Sequence, residues 1–361
     1  MLKSSNSNLI CRYLWQNPME SRASIARSLG LDKATVTNEV ASLIKRKKVL
    51  EMPALSTFQT GRRPIPLKLN GGYGMALGIA IQSGLYTVAA VDLNNEILFL
   101  TTKEASIEKD NMIPMVKDIY YDIVEGHGKE LPPCLGLSIG VGGLVSSSTK
   151  ALDYSVPLKV YERYSVIDSL EKELGVEVLL ENNANCCAWL NLLPVPKGPS
   201  DFIYLMLEFN QILVPHERYG GIGIGLGIVI DGKLHRGFHS YAGEFRSAFC
   251  EGIGDSQMSL SKDEMSRILD DPVIFGRFSH ELAQNIAMLS NTIDTGCIFV
   301  GSDCEKLGKE FCEVLEETIE QNWLFPIVKK IPIVFSSTGT TSVAVGAAER
   351  MFLHLFDNQL I

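Results

Sequence analysis

The sequence predicts an α/β protein in two parts, in which a small helical segment with a hairpin precedes a larger body of two α/β halves. Two observations support this division. Residues 1–70 contain 12 Lys and Arg against 4 Asp and Glu, whereas the rest of the chain contains 21 against 38. In the body, runs of strand-forming residues are twice followed by alternating helices and strands, an order that packs helices against sheets. The predicted domains are residues 1–70, 71–195 and 196–361.

The composition of the chain is that of a folded globular protein. Of its 361 residues, 46% are hydrophobic and 21% are charged, which excludes a disordered or fibrous chain. We find no apolar run of about eighteen residues, and the opening MLKSSNSN lacks the apolar core of a secretory signal. The eight cysteines include no CxxC pair. These features predict a cytoplasmic protein with reduced thiols and no membrane contact.

The basic N-terminal segment has the order helix, helix, turn, helix, hairpin. Apolar residues recur at helical spacing on both sides of Gly30, which supplies a sharp turn, and Asp32 is a suitable N-cap for a third helix. Val49–Met52 and Pro64–Leu69 are predicted to be strands that flank an exposed loop. This order is typical of a winged helix-turn-helix, whose second motif helix enters the DNA major groove. The alternative is a helical subdomain with a solvated polar face.

Candidate DNA contacts lie at the start of the third helix and in the hairpin loop. They are Lys33, Ala34, Thr35, Thr37, Asn38, Arg62 and Arg63. An asparagine can bind adenine through two hydrogen bonds, and small side chains can contact the thymine methyl group. The pair Arg62-Arg63, followed by a proline, suits a narrow minor groove, although a basic interdomain linker would have the same composition. The basic run 45–48 would either contact phosphates or stabilise the end of its helix.

The body is predicted to contain two halves with a similar order of strands and helices. The first half has three strand-rich runs over 75–104 with a hairpin turn at Asn94-Asn95, helices at 110–125, 166–174 and 183–193, and strands at 134–140 and 176–181. The second has strands at 202–209 and 221–230 with a turn at Asp231-Gly232, strands at 298–300 and 331–335, and helices at 273–291, 304–322 and 342–355. Each half therefore opens with antiparallel strands and continues as an α/β unit.

Several motifs resemble one protein family. The N-terminal series resembles the winged helix of ROK-family transcriptional repressors through Ser21-Arg22, Ala26-Arg27, Gly30-Leu31, Ala34-Thr35-Val36-Thr37 and Gly61-Arg62-Arg63-Pro64. The body resembles the same family at 77–98, 135–145, 180–190, 221–237 and 241–245. The resemblance implies an actin-like, ribonuclease H-like fold of two lobes with a sugar site in the cleft.

Two departures separate this chain from the sugar kinases of that family. The kinases carry an aspartate in their first phosphate loop, where this chain has the run from Ala80 to Gly84. Their catalytic aspartate, which deprotonates the sugar hydroxyl, is matched here by Asn183, and an amide cannot act as a general base at neutral pH. The sequence therefore predicts a protein that is not an enzyme and has no catalytic residues.

The zinc motif of the family is also incomplete. Family members follow a Gly-Glu pair with a zinc-binding histidine and a cysteine-rich segment, but Ser247 stands at the histidine position and only Cys250 lies nearby. A structural zinc needs a full set of four ligands. We therefore predict no metal and no cofactor. An improvised site of His235, His239 and Cys250 is the alternative to isolated surface histidines.

Candidate effector contacts follow from the same resemblance. Asn182, Asn183 and Glu244 match family positions that hold sugar hydroxyls, and Gly143 is expected to line the same cleft. Amide and carboxylate groups suit the recognition of paired hydroxyls. Local capping of a helix or turn is the alternative role for these side chains. The glycines from 221 to 227 match a phosphate loop, but tight strand packing would require them as well.

Together these observations predict a DNA-binding regulator, a sugar-responsive repressor of carbohydrate-metabolism genes. Its expected partners are operator DNA, a small-molecule effector that is a sugar or sugar derivative, and a second copy of the chain in a homodimer or higher homo-oligomer. Two alternatives remain open. One is a ROK sugar kinase with an added DNA-binding domain, and the other is a body that has lost its ligand and serves only for dimerisation.

Overall fold

The computed structural model describes residues 5–53, 64–146, 149–192, 199–209, 222–252, 256–327, 330–336 and 341–361. The N-terminal domain contains three helices, α1 (Asn6–Gln16), α2 (Arg22–Leu29) and α3 (Lys33–Lys45). Their apolar faces share a core that includes Ile10, Leu14, Ile25, Val36 and Val40. Side chains at Ser5, Ser21 and Asp32 cap the three helices, and α2 ends at Gly30 in the left-handed conformation.

A small antiparallel sheet completes this domain. Its strands are β1 (Glu20–Ser21), β2 (Val49–Glu51) and β3 (Pro66–Leu69), in the order β1-β3-β2. The predicted hairpin is therefore present as β2 and β3, with a further short strand from the start of α2. Residues 54–63 of the loop between β2 and β3, which include Arg62 and Arg63, lie outside the described residues.

The first lobe of the body is built on a sheet of order β10-β7-β4-β5-β6. These strands are β4 (Met75–Gln82), β5 (Leu85–Asp92), β6 (Ile97–Glu104), β7 (Cys134–Val141) and β10 (Glu177–Asn182). The first three are antiparallel neighbours, and β7 and β10 run parallel to β4. One face packs on α4 (Met112–Val124) and α5 (Ile167–Leu174), and a hairpin of β8 (Leu144–Ser146) and β9 (Ala151–Tyr154) extends from the lobe.

The second lobe repeats this topology. Its sheet has the order β13-β12-β11-β14-β15, with strands β11 (Phe202–Phe209), β12 (Ile222–Ile230), β13 (Lys233–Leu234), β14 (Cys297–Ser302) and β15 (Ile333–Phe335). Strands β13, β12 and β11 are antiparallel neighbours, and β14 and β15 run parallel to β11. The helices of this lobe are α7 (Lys262–Ser266), α8 (Pro272–Ile293) and α9 (Gly308–Gln321). The repeated order confirms the prediction of two similar α/β halves.

Two further helices lie between the sheets, α6 (Asn183–Leu192) and α10 (Ser342–Asp357). Helix α6 contacts β11 and β12, whereas α10 contacts β4, β7 and β5 of the first lobe although it follows the second lobe in the chain. Glycines allow this close packing. A Cβ at Gly227 would lie 2.5 Å from the Cβ of Ala188, and one at Gly78 would lie 1.9 Å from the Ala344 carbonyl oxygen. In the described parts of the chain, no helix is both long enough and apolar enough to cross a membrane.

Candidate functional site

The first candidate site is the exposed face of α3. Val36, Val40 and Leu43 are buried, so the opposite face of the helix is turned to solvent. On that face Lys33, Ala34, Thr37 and Asn38 are exposed, near the N-terminal end of the helix. This is the part of a helix-turn-helix that contacts base edges. Thr35, which lies between this face and the buried face of α3, is only half-exposed.

The two threonines of α3 are already hydrogen-bonded within the helix. The Thr35 hydroxyl donates to the Asp32 carboxylate, which also accepts from the Thr35 backbone N–H at 2.9 Å and has its pKa lowered by these bonds. The Thr37 hydroxyl donates to the Lys33 carbonyl oxygen at 2.7 Å. Thr35 therefore serves the helix cap, while the amide of Asn38 is the stronger candidate for reading a base.

The second candidate site lies where β10 meets α6, at the junction of the two lobes. We call it the interlobe site and define it as Gly143, Asn182, Asn183 and Glu244. The Asn182 amide donates from Nδ2 to the Gly143 carbonyl oxygen at 3.1 Å and to Glu244 Oε1 at 3.5 Å. Its Oδ1 accepts from the backbone N–H of Ala184 at 2.9 Å. Asn182 therefore caps α6 and also joins a turn of the first lobe to a glutamate of the second.

Glu244 has an unusual electrostatic position. Its side chain is accessible to solvent, but the surrounding protein displaces enough water to raise its pKa to about 7. The distance of 3.5 Å to the Asn182 amide is long, so the carboxyl group retains capacity to bind another molecule. A carboxyl group that titrates near neutrality can accept a hydrogen bond when ionised and donate one when protonated.

Two glycines set the shape of the interlobe site. Gly243 has φ +99° and Gly143 has φ +133°, conformations that L side chains rarely adopt. A Cβ at Gly243 would lie 1.9 Å from the Leu226 carbonyl oxygen, and one at Gly143 would lie 2.3 Å from that of Tyr154. The backbone beside Asn182 and Glu244 therefore requires glycine at both positions.

A buried ion cluster lies behind the site, and sequence reasoning missed it because its members are far apart in the chain. Glu181 is 2% exposed, and Arg236 binds both of its carboxylate oxygens. Glu181 also accepts from the Asn182 backbone N–H at 3.1 Å, and Arg350 Nε lies 3.8 Å away. Burial alone would raise the pKa of Glu181, but the two arginines hold it below its ordinary value. The carboxylate is therefore ionised and fixes the start of α6.

Acidic side chains also lie at the junction of the lobes, near the end of β4. Gln82 donates from Nε2 to Glu208 Oε1 at 2.6 Å, which joins β4 of the first lobe to β11 of the second. Burial raises the pKa of Glu208, and Asp303 raises it further, whereas Gln82 and Asn183 favour its ionised form. Sequence reasoning missed Glu208 because it ends an apolar run that reads simply as a buried strand.

The region of the expected zinc motif is held by side-chain hydrogen bonds. Ser247, at the position of the zinc-binding histidine, accepts from Asn285 Nδ2 at 3.1 Å. Gln257 accepts from the Ile224 backbone N–H at 2.7 Å and donates to the Phe245 carbonyl oxygen at 2.8 Å. Among the residues that the structure describes, which exclude 253–255, no group of three His, Cys, Asp or Glu is arranged to bind a metal.

Part of the body matches a known protein family. Residues 77–246 match the ROK family. The chain is 24% identical to a xylose repressor of Caldicellulosiruptor bescii, over 96% of this chain and 95% of that protein. It is 25% identical to the xylose repressor of Bacillus subtilis, over 67% of this chain and 60% of that protein. A beta-glucoside kinase of Listeria monocytogenes is 30% identical over 33% of this chain and 36% of the kinase.

Solved structures share the fold. A ROK family transcriptional regulator, a homologue of the E. coli MLC protein, superposes with a TM-score of 0.75 at 16% identity, over 98% of this chain and 97% of that one. A ROK family glucokinase from Streptomyces griseus, in complex with glucose and AMPPNP, gives 0.60 at 17% identity, over 77% and 99%.

The fold is thus a two-lobed α/β body joined to an N-terminal helical domain, as in the ROK family regulator, which confirms the predicted fold class. The chain carries a ROK family domain.

Proposed function

We propose that the protein is a DNA-binding transcriptional repressor whose affinity for its operator is controlled by a sugar bound at the interlobe site. The observation that supports this most is the combination, in one chain, of an exposed α3 face with a polar site between two lobes. Relatives that align with most of the chain or two thirds of it are named xylose repressors. The two parts of the molecule then correspond to the two halves of the function.

We propose a neutral polyol as the effector. Asn182 and Glu244 offer an amide and a carboxyl group 3.5 Å apart, a pair that can bind adjacent hydroxyl groups. A phosphate beside Glu244 would be repelled by its charge, and Glu208 and Asp303 make the neighbouring region acidic as well. A sugar phosphate is therefore disfavoured on both sides of Asn183. D-xylose is the first compound to test, because it appears in the names of the relatives.

We further propose that the protein does not transfer phosphoryl groups. By the family resemblance, Asn183 stands where the kinases have their general base. Gln82, which lies in the run that matches their first phosphate loop, is bonded to Glu208 across the lobe junction. Incubation of the pure protein with ATP, Mg²⁺ and a panel of sugars should produce no sugar-dependent ADP. Sugar-dependent ADP formation that is lost in Asn183→Ala would show that the protein is a kinase.

Regulation requires that the sugar bind one arrangement of the lobes more tightly than the other, because a ligand indifferent to the two shifts nothing. In a homodimer, two copies of α3 would face half-sites about one helical turn apart. A change in the angle between the lobes would alter the spacing of the two α3 helices. Binding of the sugar would thereby weaken binding to the operator.

The test measures operator affinity with and without sugar. DNA selected from a random pool by the full-length protein is labelled, and its affinity is measured by fluorescence anisotropy with D-xylose, D-glucose, xylitol or glucose 6-phosphate. We expect a neutral sugar to weaken binding at least tenfold. Glu244→Gln should reduce this response and leave the sugar-free affinity nearly unchanged. Glu104→Gln, on the exposed edge strand β6, is the matched control and should behave as the wild type.

Two outcomes would contradict the proposal in different ways. If the protein enriches no sequence from the random DNA pool, the proposal that it binds a specific operator is wrong. If none of the sugars changes the melting temperature of the protein or its affinity for DNA, the result would support a body that serves only for dimerisation.

A further inference from the structure

The N-terminal domain is held against the last helix of the body. Trp15 of α1 is 3% exposed and contacts two rings of α10, with centroid distances of 6.3 Å to Phe352 and 5.7 Å to Phe356. Asn8 donates from Nδ2 to the Phe356 carbonyl oxygen at 2.9 Å. The pair Arg12–Asp357, at 2.6 Å, lies at the exposed edge of this contact. Any movement of the C-terminal half of α10 therefore reaches the domain that carries α3.

The N-terminal half of α10 is packed directly on α6. A Cβ at Gly346 would lie 2.0 Å from the Cys186 carbonyl oxygen, so the two helix backbones are in contact at this point. Close contact of this kind prevents either helix from sliding past the other without a clash. A displacement of α6 would therefore require a displacement of α10, and α6 begins at Asn183, next to Asn182 of the interlobe site.

Arg350 connects this pair of helices to the buried carboxylate behind the interlobe site. Its guanidinium group lies 5.4 Å from the centroid of the Trp189 ring on α6, and its Nε lies 3.8 Å from Glu181 Oε2. Arg236 already binds Glu181 through two hydrogen bonds, and Asn185 Nδ2 adds another at 3.1 Å. The carboxylate is thus satisfied without Arg350. An arginine at 3.8 Å is a loose ion-pair partner that can approach or withdraw when the carboxylate moves.

We propose that Arg350 is a positioning residue that couples the interlobe site to the DNA-binding domain through α10. On this proposal, a ligand at Asn182 and Glu244 displaces Glu181, whose oxygen binds the Asn182 backbone, and Arg350 follows the carboxylate. The motion then passes along α10 to Phe352, Phe356 and Trp15. This inference rests on the proposed function, but the coupling can be measured without any ligand.

The ligand-free test uses the three tryptophans of the chain as probes. The full-length protein is labelled with 5-fluorotryptophan, and the ¹⁹F resonances are assigned with single Trp→Phe variants. Asn182→Ala serves as the perturbation at the interlobe site. We expect it to shift the Trp15 resonance by more than a linewidth. In the Arg350→Met background the same change should shift that resonance by less than half as much.

The matched control is His354→Gln, which lies on the same helix and contacts Glu177 of β10 at 3.1 Å rather than Glu181. It should leave the response of Trp15 to Asn182→Ala intact. Arg350→Lys, which keeps the charge and loses the planar group over Trp189, provides a second variant if Arg350→Met does not fold. The proposal would be overturned if Asn182→Ala does not shift the Trp15 resonance, or if the shift is equal with and without Arg350.

A second measurement separates this inference from the proposed function. D-xylose affinity and DNA affinity are measured on the wild type, Arg350→Met and His354→Gln. We expect Arg350→Met to bind each partner within about threefold of the wild type, while the weakening of DNA binding by D-xylose falls from tenfold or more to less than twofold. A merely structural arginine would lower stability and leave this ratio unchanged. If D-xylose does not act on the wild type, the choice of effector fails and the fluorine experiment still decides the coupling.

Discussion

At position 349, α10 buries a glutamate whose Oε2 has no hydrogen-bond partner among the described residues. The side chain is 5% exposed, and burial raises its pKa to about 8. The ordinary value of 4.5 applies to the unfolded chain, so between these two pH values the folded protein binds more protons than the unfolded one. The stability due to the protonated form is therefore complete below about pH 4.5 and is lost as the pH rises to about 8.

Glu349→Gln should stabilise the protein at alkaline pH. The amide cannot ionise, so the protein avoids the cost of burying an unpartnered charge. That cost exceeds the penalty of about 1–3 kcal/mol for a neutral buried group without a hydrogen bond. We expect the thermal midpoint to rise by a few degrees at pH 8.5 and by less at pH 6. The measurement is a thermal melt at both pH values, with Glu310→Gln on the exposed side of α9 as the control. An equal gain at the two pH values would show that ionisation of Glu349 is not the cause.

Base recognition is a second property of single residues. Asn38→Ala should weaken binding to the selected DNA by about 1–3 kcal/mol and change binding to random DNA little, because a base contact is lost. Lys33→Ala is the matched comparison on the same exposed face. If this lysine contacts a phosphate rather than a base, its loss should weaken binding to both DNAs alike. Anisotropy titrations on the two DNAs give both values. Equal losses for Asn38→Ala on the two DNAs would remove this residue from base readout.

At the scale of elements, the loop before Glu244 depends on a backbone conformation rather than on side-chain contacts. Gly243→Ala would place a Cβ at 1.9 Å from the Leu226 carbonyl oxygen, at φ +99°. We expect this variant to lose D-xylose binding and to melt at a lower temperature. Gly276→Ala, in the second turn of α8 and without an atom within 4 Å of the new Cβ, should instead stabilise the protein by about 0.5–1 kcal/mol. Retention of wild-type sugar binding by Gly243→Ala would show that the loop can relax.

The elements themselves were largely predictable, and their pairings were not. The helices expected at 110–125, 166–174 and 342–355 are confirmed as α4, α5 and α10. They were predictable because their apolar residues recur at helical spacing. Spacing gives no information on which sheet a helix will cover. The packing of α10 on the first lobe and the bond from Gln82 to Glu208 therefore could not be predicted. The same limit applies to Arg236 and Arg350, which lie far apart in the chain and meet at one buried carboxylate.

At the scale of the whole molecule, charge is divided between a basic domain and an acidic body. Exposed cations gather at the start and end of α3, and the body carries 38 acidic against 21 basic residues. The body repels DNA, so attraction is confined to the N-terminal domain and orients the approach of the protein.

DNA affinity should therefore fall steeply with salt. Each phosphate contact contributes a slope of about −0.9 in a plot of log affinity against log salt concentration. Replacing Lys45 and Lys47 together by alanine should reduce the magnitude of this slope by about 2 if both contact phosphates. Lys109→Ala, in an ion pair with Glu162 on the body, is the control and should leave the slope unchanged. Titrations between 50 and 300 mM KCl measure it, and an unchanged slope in the double variant would place the two lysines away from the DNA.

The position of α10 also has a consequence for how the protein is made. The strand β4 that it covers leaves the ribosome roughly 260 residues before α10 does. At about 5–20 residues per second, the first sheet waits for tens of seconds with one face uncovered. The N-terminal domain waits equally long for the rings at Phe352 and Phe356 against which Trp15 packs. The N-terminal domain of a nascent chain therefore cannot dock on the body until α10 has been translated. A premature stop codon before residue 342 would abolish that docking.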